Sequence, residues 1–181
     1  LGALLAFLVI TFLYLSPMLS GKELKQSDTT NWEGMSKEIT DFQKATGEYT
    51  YWTNSMFGGM PGYQIAAVYP YTVFKYVNDI ITLGLPTPAN YLFLLMAGFY
   101  FLLITLKVDK KVAILGAIGF AFSSYFILFI GTGHNSKAHA IGYMAPVIAG
   151  IITAYRGRML IGSAITGLAL ALELYANHLQ I

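Results

Sequence analysis

Gly21-Lys-Glu-Leu-Lys-Gln-Ser-Asp28-Thr-Thr-Asn-Trp32 opens the only long stretch of this chain that reads as water-exposed. The polar interval runs from about Ser20 to Pro88 and holds most of the charged residues. Leu1 to Leu19 precede it and are apolar throughout, with Gly2, Thr11 and Ser16 as the only small or weakly polar interruptions. At about 1.5 Å per residue such a run can cross a hydrocarbon core of roughly 30 Å. A second apolar run begins at Ala89, just past Thr87-Pro88, a pair suited to opening a helix with proline in its first turn. A large polar loop between two candidate spans therefore sets the expected architecture.

Composition narrows the classes. Of the 181 residues, 56% are hydrophobic and only 11% charged, whereas a soluble domain carries roughly 25% charged residues. An all-α, polytopic membrane protein is expected. The net charge of +2 comes from scattered basic residues and gives no nucleic-acid footprint. The absence of cysteine excludes disulfides, thiolate catalysis and Cys-based zinc sites in these residues. The chain begins at Leu1 and stops at Ile181 inside an apolar pattern, as expected of the amino-terminal part of one membrane domain in a longer protein.

Five spans are predicted: 1–19, 89–106, 112–130, 140–155 and 159–177. A cleaved signal peptide competes for the first, but no basic n-region precedes it and Leu19-Ser20-Gly21 is a poor cleavage site. The short turns at 107–111 and 156–158 hold Lys107, Lys110, Lys111, Arg156 and Arg158. Basic short loops face the cytoplasm, which puts the amino end inside and loop 20–88 outside. The connection 131–139 and the far end of the fifth span then lie outside too.

Two short amphipathic helices are expected in the loop. Thr30-Asn-Trp-Glu33 fits a capping box, followed by Trp32, Met35, Ile39 and Phe42 at helical spacing and Gly47 as a stop. The second is expected from about Tyr71 to Leu83. Between them, Tyr51 to Gly62 is rich in aromatics and glycine, which suits a tightly turned, packed loop.

Three sets of residues have chemical potential. Asp28, taken alone, is a solvated carboxylate or helix cap, but Thr29, Thr30 and Asn31 add oxygen ligands for a divalent cation such as Mg or Mn. His134, Asn135, Lys137 and His139 fill the short connection after the third span; they suit a phosphate or a sugar, or simply a solvent-facing turn. Their histidine spacing is not the i, i+4 of a zinc helix. Glu173 is the sharpest anomaly, a carboxylate inside Leu168-Ala-Leu-Ala-Leu-Glu-Leu-Tyr175. Such a group faces a polar cavity or a partner, or makes a structural helix–helix hydrogen bond. Asn177 and Gln180 extend its stripe at i+4 and i+7, with His178 at the rim. The topology predicts all three sets on one membrane face, around a polar extracytoplasmic cavity.

The pattern Ser27-Asp28…Trp32…Met35-Ser-Lys-Glu38, then Trp52-Thr-Asn-Ser-Met-Phe-Gly-Gly-Met-Pro61, then Gly133-His134 and Glu173…Asn177-His-Leu-Gln180 resembles the bacterial YfhO-like membrane proteins of the GT-C glycosyltransferase superfamily. The resemblance implies a GT-C-like helical bundle in the bacterial cytoplasmic membrane. It also implies transfer, with inversion, of a sugar from a polyprenyl-phosphate carrier to a glycan, lipid or protein acceptor outside. Asp28 would be the general base or a metal ligand, and Lys137, His134 or His139 would meet the leaving phosphate. Glu173 and Gln180 would shape the pocket. Many such enzymes carry a second loop acid beside the first; here only Glu23 and Glu33 are near Asp28. A transporter or lipid flippase with an outward-facing polar cavity is the alternative, for which broken helices would count. A non-catalytic membrane scaffold or sensor is a third reading.

Overall fold

Polar and apolar stretches segregate in the computed structural model, which describes residues 2–66 and 72–178. The chain is mostly helical and forms two compact units: Lys25–Thr72, and Leu1–Leu24 with Val73–Ile181. The first will be called the loop unit and the second the helical unit.

The loop unit is built on α3 (Ser27–Thr46), which ends at Gly47 in the left-handed conformation (φ 75°). The helix starts three residues before the expected cap. Thr30 is an interior residue whose hydroxyl donates to the Gln26 carbonyl at 3.1 Å, so the Thr30–Glu33 capping box does not form. The glycine-rich run folds as a small hairpin, β1 (Trp52–Thr53) antiparallel to β2 (Met60–Pro61). Its turn needs positive φ at Phe57, Gly58 and Gly59. The Trp52 ring lies where a Gly59 side chain would be, 2.7 Å from the would-be Cβ. Glu38 ties the hairpin to α3. Its Oε2 accepts the Thr53 hydroxyl and the N–H groups of Asn54 and Ser55, both at 2.9 Å. Trp32 closes the unit from the other side, its indole N–H donating to the Ile65 carbonyl at 2.8 Å.

In the helical unit, α1 (Gly2–Tyr14) gives way to a single turn, α2 (Ser16–Leu19), in place of one unbroken span. Pro17 has no N–H to continue the ladder to residue 13, which accounts for the break. Next comes α4 (Phe74–Ile81), expected as part of the outer loop but belonging to the helical unit, with Phe74 and Val77 packed on Leu94, Tyr143 and Leu172. Of the residues expected to begin it, Tyr71 lies outside the described residues. Then follow α5 (Ala89–Thr105), α6 (Lys110–Ala121), α7 (Ser124–Thr132), α8 (Asn135–Tyr155) and α9 (Met159–Tyr175). The expected straight span 112–130 is in fact α6 and α7 bent by 47° at Phe122–Ser123, where Ser123 is extended. The fourth helix begins at Asn135 rather than Ala140, which leaves only Gly133 and His134 as the connection.

Helix contacts are close because small residues line them. Pro146 cannot donate to the carbonyl of Gly142, and Gly98 of α5 packs against that carbonyl; a Cβ at Gly98 would lie 2.4 Å from it. On the α8–α9 seam a Cβ at Gly150 would meet Thr166 Oγ1 at 2.4 Å, and one at Gly162 would meet Ala154 N at 2.2 Å. The remaining core joins Phe7, Leu92, Phe93 and Met96 with Ala117, Ala121, Phe126 and Ile130. Large apolar side chains cover the outer faces, among them Leu13, Leu115, Leu128, Ile151 and Leu160. Among the described residues, by length and hydropathy α8 alone is long enough to cross a membrane, with the bent α6–α7 pair qualifying when taken together; α1, α5 and α9 are shorter apolar helices.

Candidate functional site

The positions Gly162, Thr166, Ala169 and Glu173 of α9, with Ala176 at its C-cap, repeat at four- and three-residue steps, which places them on one helix face. Four of the five are buried. This is the seam that meets α8, because Gly150 faces Thr166 and Ala154 faces Gly162. Continuing that antiparallel register brings Glu173 level with Tyr143. Glu173 is 9% exposed and makes no side-chain hydrogen bond or ion pair among the described residues. Covering a carboxylate without a partner costs free energy. Among the described residues of the helical unit it is the one acid that is largely covered yet makes no hydrogen bond or ion pair.

Around the neighbouring turn of α8 sits a polar cluster that pattern reading missed. Tyr143 Oη donates to Asn78 Oδ1 at 2.8 Å, and His139 Nε2 lies 2.6 Å from the same oxygen. An amide oxygen only accepts, so in this network Nε2 carries the proton and Nδ1 is the acceptor of the ring. All three residues are buried, Tyr143 to 2% exposure. The rings of Tyr91 and Tyr175 stand 5.4 Å and 6.4 Å from that of His139. The network fixes α4 onto α8. Its signal lay in the sequence: Asn78 shares a helix face with Phe74 and Ile81 and is the polar residue there. Beside Tyr143 lies a cavity of about 190 Å³ with apolar walls, lined by Leu94, Gly98, Phe101, Pro146 and Leu172.

The expected histidine set divides. His139 belongs to the buried network, whereas His134 is exposed at the N-terminal edge of α8. Lys137 extends over the Phe129 ring, its Nζ 4.3 Å from the centre, a cation–π contact. His134 packs edge-on against the same ring at 5.3 Å. His178 is held below its ordinary value of 6.5, first by burial and then by the positive charges of Lys137 and His134. His134, Lys137 and His178 thus act on one another electrostatically at one end of the unit. Asn135 is half-buried in the first turn of α8.

The polar stripe expected beyond Glu173 does not continue as a helix. α9 stops at Tyr175, and Asn177 takes the left-handed conformation (φ 55°) of a helix terminator. Gln180 lies outside the described residues. Asp28 occupies the first turn of α3, where a carboxylate complements the helix dipole. The neighbouring oxygen donors are otherwise engaged: the hydroxyl of Thr29 goes to Gln26 Oε1 at 3.0 Å and that of Thr30 to the Gln26 carbonyl. Among the described residues no three His, Cys, Asp or Glu side chains gather as a metal site. The reaction proposed below is written without a cation.

Comparison with protein-family models, with curated proteins and with solved structures found no match to this chain.

Proposed function

We propose that the chain is part of a multi-pass glycosyltransferase of the bacterial cytoplasmic membrane that moves a sugar from a polyprenyl-phosphate carrier to an extracytoplasmic acceptor. The observation that carries the reading is Glu173, a residue only 9% exposed in an apolar helix whose carboxylate makes no hydrogen bond or ion pair among the described residues. Its neighbourhood suits an amphiphile. An apolar cavity adjoins Tyr143, which could take part of an isoprenoid chain, and the His134, Lys137 and His178 set suits a phosphate. The membrane reading is supported by glycine-mediated helix contacts, the packing mode of helices in lipid, and by the outward-facing leucines and isoleucines.

In the proposed reaction the acceptor hydroxyl loses its proton to a carboxylate base as its oxygen attacks the anomeric carbon. The bond from that carbon to the phosphate oxygen breaks, and polyprenyl phosphate departs with the electron pair. The resemblance gives the role of base to Asp28. Glu173 accepts hydrogen bonds from sugar hydroxyls, and Lys137 with the two histidines meets the charge developing on the phosphate. The full-length protein in proteoliposomes with a labelled polyprenyl-phosphate sugar tests this. Asp28→Asn removes the base and is expected to cost on the order of 10²–10⁴ in rate. Full activity in that variant sinks the assignment.

One observation favours a second reading. The 47° break between α6 and α7 is the kind of discontinuous span that lines substrate paths in transporters. Sugar or lipid that crosses the vesicle bilayer with no glycosidic bond formed would select that reading.

A further inference from the structure

The two short basic turns of the helical unit come together. Arg156, just past α8, donates from Nη1 to the carbonyl of Thr105 at the end of α5. The groove beside this contact has a volume of about 520 Å³, and Lys107, Arg156 and Arg158 are among the residues that line it. Its walls are mainly apolar, with Phe101 and Ile104 from α5 and Ile161 and Ile165 from α9 beside Thr105 and Thr153. No acid lines it. Asp109, the acid nearest in sequence, caps α6 by accepting the N–H groups of Lys111 and Val112. The side chains of Lys107 and Arg158 make no hydrogen bond or ion pair among the described residues.

Cations at helix ends ordinarily serve the helix carbonyls. Arg156 does so, but that accounts for only part of its guanidinium, which has further N–H groups. It leaves two more cations over an apolar trough. Water alone gains nothing from the trough, and a free phosphate uses only its cations. An anionic amphiphile satisfies both parts at once.

We infer that this groove is a binding site for an anionic glycerophospholipid, with the phosphate headgroup on Lys107 and Arg158 and an acyl chain laid along Ile161 and Ile165. The site rests on the membrane reading above and is separate from the Glu173 region. Charge complementarity selects the occupant: three cations, no acid, and a wall that a soluble anion would leave unused.

The test uses the full-length protein purified in a neutral detergent and titrated with phosphatidylglycerol or phosphatidylcholine, bound lipid being counted by native mass spectrometry. The wild type is expected to prefer phosphatidylglycerol by roughly tenfold or more, since each nearby cation contributes to anionic-lipid attraction. Lys107→Gln/Arg158→Gln is expected to abolish the preference, and Lys107→Arg/Arg158→Lys to retain it. Ile161→Ser/Ile165→Ser is expected to weaken binding of both lipids while leaving competition by inorganic phosphate unchanged. Equal binding of the two lipids by the wild type overturns the inference, as does an unchanged preference in the Gln variant. Alkaline carbonate extraction of native membranes separates the two readings. Release of the protein refutes the membrane reading itself, whereas a retained protein without lipid preference refutes the site alone.

Discussion

Gly162→Ala should destabilise the protein while Gly167→Ala, five residues along the same helix, should not. A Cβ at Gly162 would lie 2.2 Å from Ala154 N and 2.6 Å from its Cα. Both are backbone atoms, so no side-chain rotation relieves the clash. To reach even 3.0 Å, α8 and α9 would have to separate by roughly 1 Å. That opens a seam whose other contacts, Gly150 against Thr166 among them, are equally close. Forcing a methyl into such packing costs about 1–3 kcal/mol. At Gly167 nothing lies within 4 Å of the would-be Cβ, and alanine there gains roughly 0.5–1 kcal/mol of helix propensity. With about 2–4 °C per kcal/mol for a chain of this size, Gly162→Ala should lower Tm by roughly 2–12 °C. Gly167→Ala should leave it level or slightly raised. Thermal unfolding of the purified full-length protein, followed by intrinsic fluorescence, reads both. Equal effects of the two substitutions would refute the close α8–α9 seam.

Asn78→Ala strands the Tyr143 hydroxyl and the His139 N–H, at a cost of about 1–3 kcal/mol for each buried donor left unpaired; a Tm fall clearly larger than that of Asp79→Ala is the expected reading. Glu38 is held below its ordinary 4.5 by the Thr53 hydroxyl first and by the Asn54 and Ser55 N–H groups. Its ordering of the hairpin is therefore present above pH 4.5 and lost as pH falls through the lowered value. Limited proteolysis within 51–62 should speed up in that acid range for the wild type and already be fast at neutral pH in Glu38→Ala. His178 titrates below 6.5, chiefly through burial and then through Lys137 and His134. Because its folded value is depressed, its contribution to stability is present above pH 6.5 and fades as pH falls. Lys137→Met should raise the His178 midpoint toward 6.5 by NMR; an unmoved midpoint refutes the electrostatic link.

Apolar runs and glycine stops were legible because they are local. Gly47 ends α3 as its position suggests, and Phe-Gly-Gly at 57–59 turns the hairpin. Glu173 stood out because a carboxylate in an apolar run is conspicuous without any fold. What failed had either a competing local contact or a partner distant in sequence. The Thr30–Glu33 pair looks like a capping box, yet Gln26 holds the preceding turn helical. No proline or glycine sits at Phe122–Ser123, and the one local mark of the α6–α7 bend is the polar pair Ser123-Ser124 inside an apolar run. Asn78 became visible as a site residue only when α4 was found on α8, 61 positions away from His139 in the chain. The end of α9 at Tyr175 likewise undid a stripe that spacing alone had supported.

The membrane-crossing arrangement underlies both the proposed transferase and the lipid groove, and cysteine accessibility tests it most directly. These 181 residues contain no cysteine, so with any cysteine elsewhere in the full-length protein replaced by serine a single introduced thiol is the only one that reports. Lys110 and Ser136 are both exposed, one in the basic turn region and the other past the α6–α7 pair. In intact cells a membrane-impermeant maleimide is expected to label Ser136→Cys at once and Lys110→Cys only after permeabilisation. Labelling of both cysteines in intact cells, or of Lys110→Cys alone, would contradict a membrane between them.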